Sequence, residues 1–178
     1  MDIYTIGHST HSQEEFIEIL KAYDIELLVD VRSYPGSKHV PHFNKENMEM
    51  WMPDKSIEYI HMRELGGRRK AIKDIDESLV DGWNKQAFRN YASYSLTDEY
   101  EEAIDSLISL AEKKTVAYMC AESLPWRCHR LIISNNLLAK GIDVHHIMSK
   151  TKTILHELGK FGAEAIVEGS KVIYPSKG

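Results

Sequence analysis

The sequence predicts an α/β fold, a single-domain, three-layer open sheet that is mostly parallel and Rossmann-like. Three observations carry this. Short runs rich in β-branched and aromatic residues alternate with amphipathic segments of helical period. Residues 25–31 form a nearly continuous apolar run directly after a helix, the pattern of a parallel strand buried on both faces. The 178 residues, 43% of them hydrophobic, supply one core but not two, so residues 1–178 read as one domain.

Each element follows from local signals. Asp2–Ile6 alternates and stops at Gly7, which marks a first strand. Ser12 followed by Glu15 is a capping-box pattern, and Phe16, Ile19, Leu20 and Tyr23 fall at helical spacing, so a helix runs over 13–23. The second strand ends in Asp30-Val31-Arg32. Asn44 opens a short helix that Pro53 and Asp54 are expected to end. Ile57–Met62 is a third strand, 63–73 a basic loop, and 74–84 ambiguous. Helices follow at 86–94 and, capped by Thr97 with acids at its start and lysines at its end, to about Lys113. Thr115–Met119 is a strand that delivers Cys120. A helix from Cys128 to Lys140 closes at Gly141, and Ile142–Met148 is a strand. Beyond 148 the pattern weakens to short elements or an edge hairpin near 154–158 and 171–174.

Composition narrows the function. The formal charge of −5 argues against a nucleic-acid binder that uses its whole surface, though not against a local basic patch. No run approaches the ~20 apolar residues of a membrane helix. The first ten residues lack a basic n-region and a long apolar stretch, so a cytoplasmic protein with free thiols and no membrane partner is expected. Two cysteines form no disulfide framework.

Nine histidines are unusual for this length, and six of them (8, 11, 39, 42, 61, 129) fall at or just past strand ends. Ligands of open α/β sheets bind outside the carboxyl ends of the strands. That edge collects His8 and Ser9, Asp30 and Arg32, His61 and Arg63, and the stretch Cys120–Arg130. A cysteine at a strand tip that faces a helix N-terminus is placed to become a thiolate. Cys120 is therefore the expected nucleophile or redox-sensitive group, with His129 or His8 as its base and Asp30 as an orienting carboxylate. The plainer alternative is a Cys120 buried as a small hydrophobe. A phosphatase-type cradle fits poorly, because six residues separate Cys120 from Arg127, no glycine intervenes, and Glu122 and Pro125 lie between them. Ser9, Arg32, Arg68, Glu122 and Arg130 are the expected ligand-binding residues. His8-x-x-His11 and His39-x-x-His42 invite a metal reading, but both lie in loops that fix no spacing, and neither a metal nor a cofactor is expected. No dinucleotide-binding or P-loop glycine motif is present.

Tyr4-Thr5-Ile6-Gly7-His8-Ser9, Val29-Asp30-Val31-Arg32 followed by Pro35, Phe43-Asn44, Glu64-Leu65-Gly66-Gly67-Arg68, Cys120-Ala121-Glu122 and Cys128-His129-Arg130 together resemble the prokaryotic family catalogued as domain of unknown function 488. The resemblance covers about residues 3–147, leaving 148–178 as an extension. It implies a compact α/β domain with a shared polar cleft and carries no activity.

The expected function is a cleft that binds a small anionic ligand, phosphorylated or nucleotide-like, with Cys120 acting as a thiolate if the protein is an enzyme. The alternative is a non-catalytic nucleic-acid-binding module that uses the 63–73 loop, where five cations face one acid. A scaffold domain is a third class and would expose an apolar patch instead of a charged cleft.

Overall fold

Cys120, Gly7, Asp30 and His61 stand side by side at one edge of a six-stranded sheet, and the fold is best followed from how they arrive there. The computed structural model describes residues 1–177. Strands β1 (Asp2–Gly7), β2 (Leu27–Asp30), β3 (Glu58–His61), β4 (Val116–Cys120) and β5 (Asp143–Ser149) are joined by helices α1 (Gln13–Ala22), α2 (Lys45–Asp54), α3 (Gln86–Tyr94), α4 (Asp98–Lys113) and α5 (Arg130–Ala139). β6 (Lys152–Leu155) completes the sheet, and β7 (Ile166–Glu168) pairs with β8 (Lys171–Ile173) in a separate hairpin. The order is β3-β2-β4-β1-β5-β6, with β6 antiparallel to β5 and every other pairing parallel.

The central strands are buried on both faces, which explains their apolar runs. Leu27, Val29, Val116 and Tyr118 face the core made with α3, α4, α5 and the β7–β8 hairpin. Leu28, Ala117 and Met119 face the core made with α1 and α2. The two-residue alternation thus divides each strand between two layers and gives the three-layer architecture.

Several local signals act as read. The Ser12 hydroxyl accepts the Glu15 N–H at the start of α1, and Thr97 does the same for Tyr100 at α4. Glu15 does not complete the capping box. Its carboxylate holds His11 instead, at 2.9 Å. Gly141 takes a left-handed φ of 82° just past α5.

Three expectations are corrected. Pro53 lies inside α2, in its last turn, where the missing N–H removes only one bond near the helix end. Asn44 sits at the cap position of α2, but its side chain accepts the Ser37 N–H at 2.6 Å and so closes the preceding loop. α5 begins at Arg130 instead of Cys128, because Pro125–Arg127 form a 3-10 turn that uses up the chain before it. The last thirty residues are more than an extension. β6 edges the sheet, while Val172, Ile173 and Tyr174 enter the core, and the Tyr174 carbonyl accepts the Gly82 N–H to anchor the segment left ambiguous above. No helix is long and apolar enough to cross a membrane.

Candidate active site at the strand tips

β4 lies between β1 and β2, so its last residue, Cys120, lies between the chains that leave those strands. The His8 and Ser9 amides donate to the Cys120 and Ala121 carbonyls at 2.9 and 3.0 Å, and the Val31 amide donates to the Met119 carbonyl at 2.9 Å. Gly7 makes this possible. A Cβ there would stand 1.8 Å from the Glu122 carbonyl oxygen. Ser9 turns with a left-handed φ of 48°, a conformation that costs a non-glycine residue about 1 kcal/mol, and faces the opening.

Above these tips lies a cleft of about 650 Å³, within the range of small-molecule sites. Both cysteines, His8, Arg32, Arg68, Arg127, His129 and several serines line it. Of the six strand-tip histidines, only His8 and His129 reach it. His61 donates to the Arg32 carbonyl at 2.6 Å, His42 bonds the His11 carbonyl at 2.8 Å, and His39 is exposed. Among the described residues, no group of three or more His, Cys, Asp or Glu could hold a metal ion.

The two cysteines are the centre of the arrangement. Their sulfurs are 3.1 Å apart although seven residues lie between them in sequence, because the 121–127 loop folds back onto the start of α5. The backbone N–H of Arg130 points at the Cys128 sulfur at 3.4 Å. The Arg130 side chain lies behind them and is fully buried. Its Nε donates to Cys120 Sγ at 3.0 Å, Nη1 to Thr5 Oγ1 at 3.0 Å and Nη2 to the Glu122 carbonyl at 2.5 Å. Among the described residues no carboxylate pairs with it. A buried guanidinium without an acid favours an anion on whatever it touches, and here that is sulfur.

The pair titrates as a unit. Burial pushes the Cys120 thiol up, and the contact with Cys128 pushes it further. Burial also opposes charge on Cys128, but the Cys120 hydrogen bond, Arg130 and the neighbouring imidazole outweigh it and pull that thiol well below the ordinary range. Arg130 Nε–H donates to the Cys120 sulfur, and either sulfur can be the donor in the contact between the two. Cys128 is half-buried whereas Cys120 is buried. These pKa directions favour charge on Cys128 over Cys120, the cysteine expected from the sequence. In sequence the pairing showed only in that the two cysteines, each within a motif of the resemblance, bracket one loop between a strand tip and a helix start.

Asp30, expected as an orienting carboxylate, braces Arg32. It is fully buried and holds Arg32 by a fork, with Nε to Oδ1 at 2.9 Å and Nη2 to Oδ2 at 2.7 Å. It also accepts the Arg32 amide and, at 2.5 Å, the Tyr59 hydroxyl, which fills its lone pairs. Arg32 gives its second Nη2 hydrogen to the Phe43 carbonyl and one Nη1 hydrogen to His8 Nε2, leaving a single Nη1 hydrogen for the cleft. His8 is consequently fixed as the Nδ1–H tautomer, with Nδ1 donating to the Ser9 carbonyl. Burial lowers its pKa to about 4, so the ring is neutral and both nitrogens are engaged. His129 differs. Its Nε2–H donates to the Val31 carbonyl at 2.6 Å, which leaves Nδ1 as an acceptor beside Gly67. Burial lowers its pKa as well, against the raising effect of Cys128.

The other expected ligand residues divide. Arg68 is exposed at the cleft mouth, its guanidinium 5.6 Å from the Tyr34 ring centre. Arg127 also lines the cleft. Glu122 turns its carboxylate back on its own loop, toward the Leu124 amide at 3.4 Å. Arg130 meets no open solvent, and its anion is the cysteine pair. Arg69, part of the basic loop, is also withdrawn, donating to the Gly66 and Arg63 carbonyls and stacking 3.8 Å over Tyr94.

A buried polar chain extends from Arg130. Thr5 and His146 are register partners on β1 and β5, and the Thr5 hydroxyl, which accepts from Arg130, donates to His146 Nδ1 at 2.8 Å. His146 Nε2–H donates to His156 Nδ1 at 3.0 Å, and His156 Nε2–H to Asn135 Oδ1 at 2.7 Å. The arginine can only donate, so it sets the direction of every bond. Each acceptor then points back toward the guanidinium, which receives their dipoles as well. Burial lowers His146 to about 3 and His156 to about 4, so both rings are neutral.

No curated protein and no solved structure matches the chain. A family model described as "Domain of unknown function DUF488" matches residues 12–137. The matched range holds Asp30, Arg32, Arg68 and the whole Cys120–Arg130 loop, while His8 and the His146–His156 pair lie outside it. The match covers most of the chain, and the chain belongs to the DUF488 family.

Proposed function

We propose that the cleft binds a small anionic ligand and that the Cys120–Cys128 pair presents a thiolate to it, making the protein a thiolate-dependent enzyme of a reducing, cytoplasmic compartment. The observation that carries this is the fully buried Arg130, whose Nε stands 3.0 Å from Cys120 Sγ with no carboxylate beside it. Its charge favours a thiolate within the sulfur pair that it touches. Cys128 is the nucleophile, at the helix start and on the cleft wall, and Cys120 supplies the hydrogen bond that stabilises it. His129 Nδ1 is the free proton acceptor of the cleft. Arg68, Arg127 and the remaining Arg32 hydrogen attract the ligand's charge. His8 and Asp30 position Arg32 and take no proton.

Iodoacetamide labelling with peptide mapping tests the reading. At pH 6.5, Cys128 of the folded protein should label at least about fivefold faster than in a urea-unfolded control. The larger thiolate fraction outweighs the lower nucleophilicity of a more acidic thiol. Equal rates would remove the thiolate and the proposal with it.

A further inference from the structure

We propose that Cys128 and Cys120 form a dithiol–disulfide couple, and that the cleft exchanges it with small anionic disulfides and their thiols. The inference rests on the thiolate reading above and goes beyond it by assigning the second cysteine and the substrate class.

The sulfurs already touch at 3.1 Å, closer than an ordinary van der Waals contact, and need about 1 Å of approach to bond at roughly 2.05 Å. Both lie on the cleft wall, so a disulfide ligand can reach Cys128 while Cys120 waits behind it. The half-buried, helix-facing thiolate attacks, and the buried thiol resolves.

The chemistry balances. The Cys128 thiolate attacks one sulfur of the ligand R–S–S–R, forming a mixed disulfide and expelling R–S⁻. Cys120 then attacks Cys128 Sγ, and the second R–S group leaves with the proton that Cys120 gives up. The protein loses two electrons and becomes a disulfide, while the ligand gains two and becomes one thiolate and one thiol. The reverse sequence restores the dithiol.

Arg130 biases the couple. In the dithiol form its buried guanidinium faces a thiolate relay, whereas in the disulfide form it faces two neutral sulfurs and loses its anion. Oxidation therefore strands a buried charge, and the dithiol is favoured. Arg68 and Arg127 select the ligand by charge, since the only cleft carboxylate, Glu122, is turned onto its own loop.

Glutathione disulfide, which is net anionic, is the probe, with cationic cystamine as the comparison. The reduced full-length protein is mixed with each, quenched with acid, and weighed by mass spectrometry. With glutathione disulfide, the wild type should lose both alkylatable thiols, gain an internal disulfide and retain no adduct. The Cys120→Ser variant should trap one glutathione on Cys128, and the Cys128→Ser variant should react no faster than an unfolded control. Cystamine should react about tenfold more slowly, and the Arg68→Ala/Arg127→Ala double variant should remove that preference. A wild type that stops at a stable mixed disulfide, while iodoacetamide labelling stays fast, overturns the couple but leaves the thiolate standing. Slow labelling fails both. Equal rates with the two probes overturn the anionic substrate class. The wild-type result needs no variant to fold.

Discussion

Arg130→Met gives the sharpest test of how the site is powered. Methionine fills much of the same buried space but supplies no donor, so three hydrogen bonds disappear, to Cys120 Sγ, Thr5 Oγ1 and the Glu122 carbonyl. A hydrogen bond to a charged group is worth about 1.5–3 kcal/mol, and 1.36 kcal/mol corresponds to about one pKa unit. The first ionisation of the cysteine pair should therefore rise by about 1–2 units. The assay is the alkylation rate of Cys128 from pH 4 to pH 10, with near-ultraviolet circular dichroism as the control for folding. A folded variant whose midpoint matches wild type would refute the claim that the guanidinium holds the thiolate. Arg130→Lys should fall between the two, because it keeps the charge and loses the fork.

Three further outcomes follow from the packing. His8, His146 and His156 are buried neutral, with pKa values lowered to about 4, 3 and 4. The unfolded chain binds protons below about pH 6.5 that the folded chain refuses, so stability is full above that pH and falls as pH drops toward about 4. Urea melts should show this loss, and His156→Gln should flatten it; a stability constant from pH 7 to pH 4.5 would contradict the neutral rings. Asp30→Asn leaves Arg32 as a buried charge without its partner, at a cost of about 3–5 kcal/mol. That should lower Tm by roughly 6–20 °C, and an unchanged Tm would mean the fork is not structural. Gly7→Ala forces a Cβ to 1.8 Å from the Glu122 carbonyl oxygen. Overpacking of this kind costs about 1–3 kcal/mol or more, seen as a lower denaturation midpoint, and an undisturbed midpoint would deny the close approach of β1 to the cysteine loop.

Which side chains reach the edge of the sheet was legible in the sequence. Strand tips are marked by local periodicity and helix starts by caps, and both depend on neighbours in the chain. Ser12, Thr97 and Gly141 act as their local patterns indicate. The roles of those side chains were less legible. Asp30 and Arg32 point the same way, as the two-residue period requires, but the carboxylate is consumed by the arginine and by Tyr59, whose ring arrives from another strand. His8 looked like a base until Arg32 took its Nε2.

From local pattern alone came the three-layer sheet, the cleft edge, and the gathering of cysteine, histidine and arginine along it. Tertiary packing alone decided that β4 runs between β1 and β2, that Cys128 folds back onto Cys120, and that Arg130 turns inward to Thr5, 125 positions away in the chain. The physical reason is that a buried charge takes its partners from whatever the packing brings beside it. Those contacts are long-range, and no spacing within one segment encodes them.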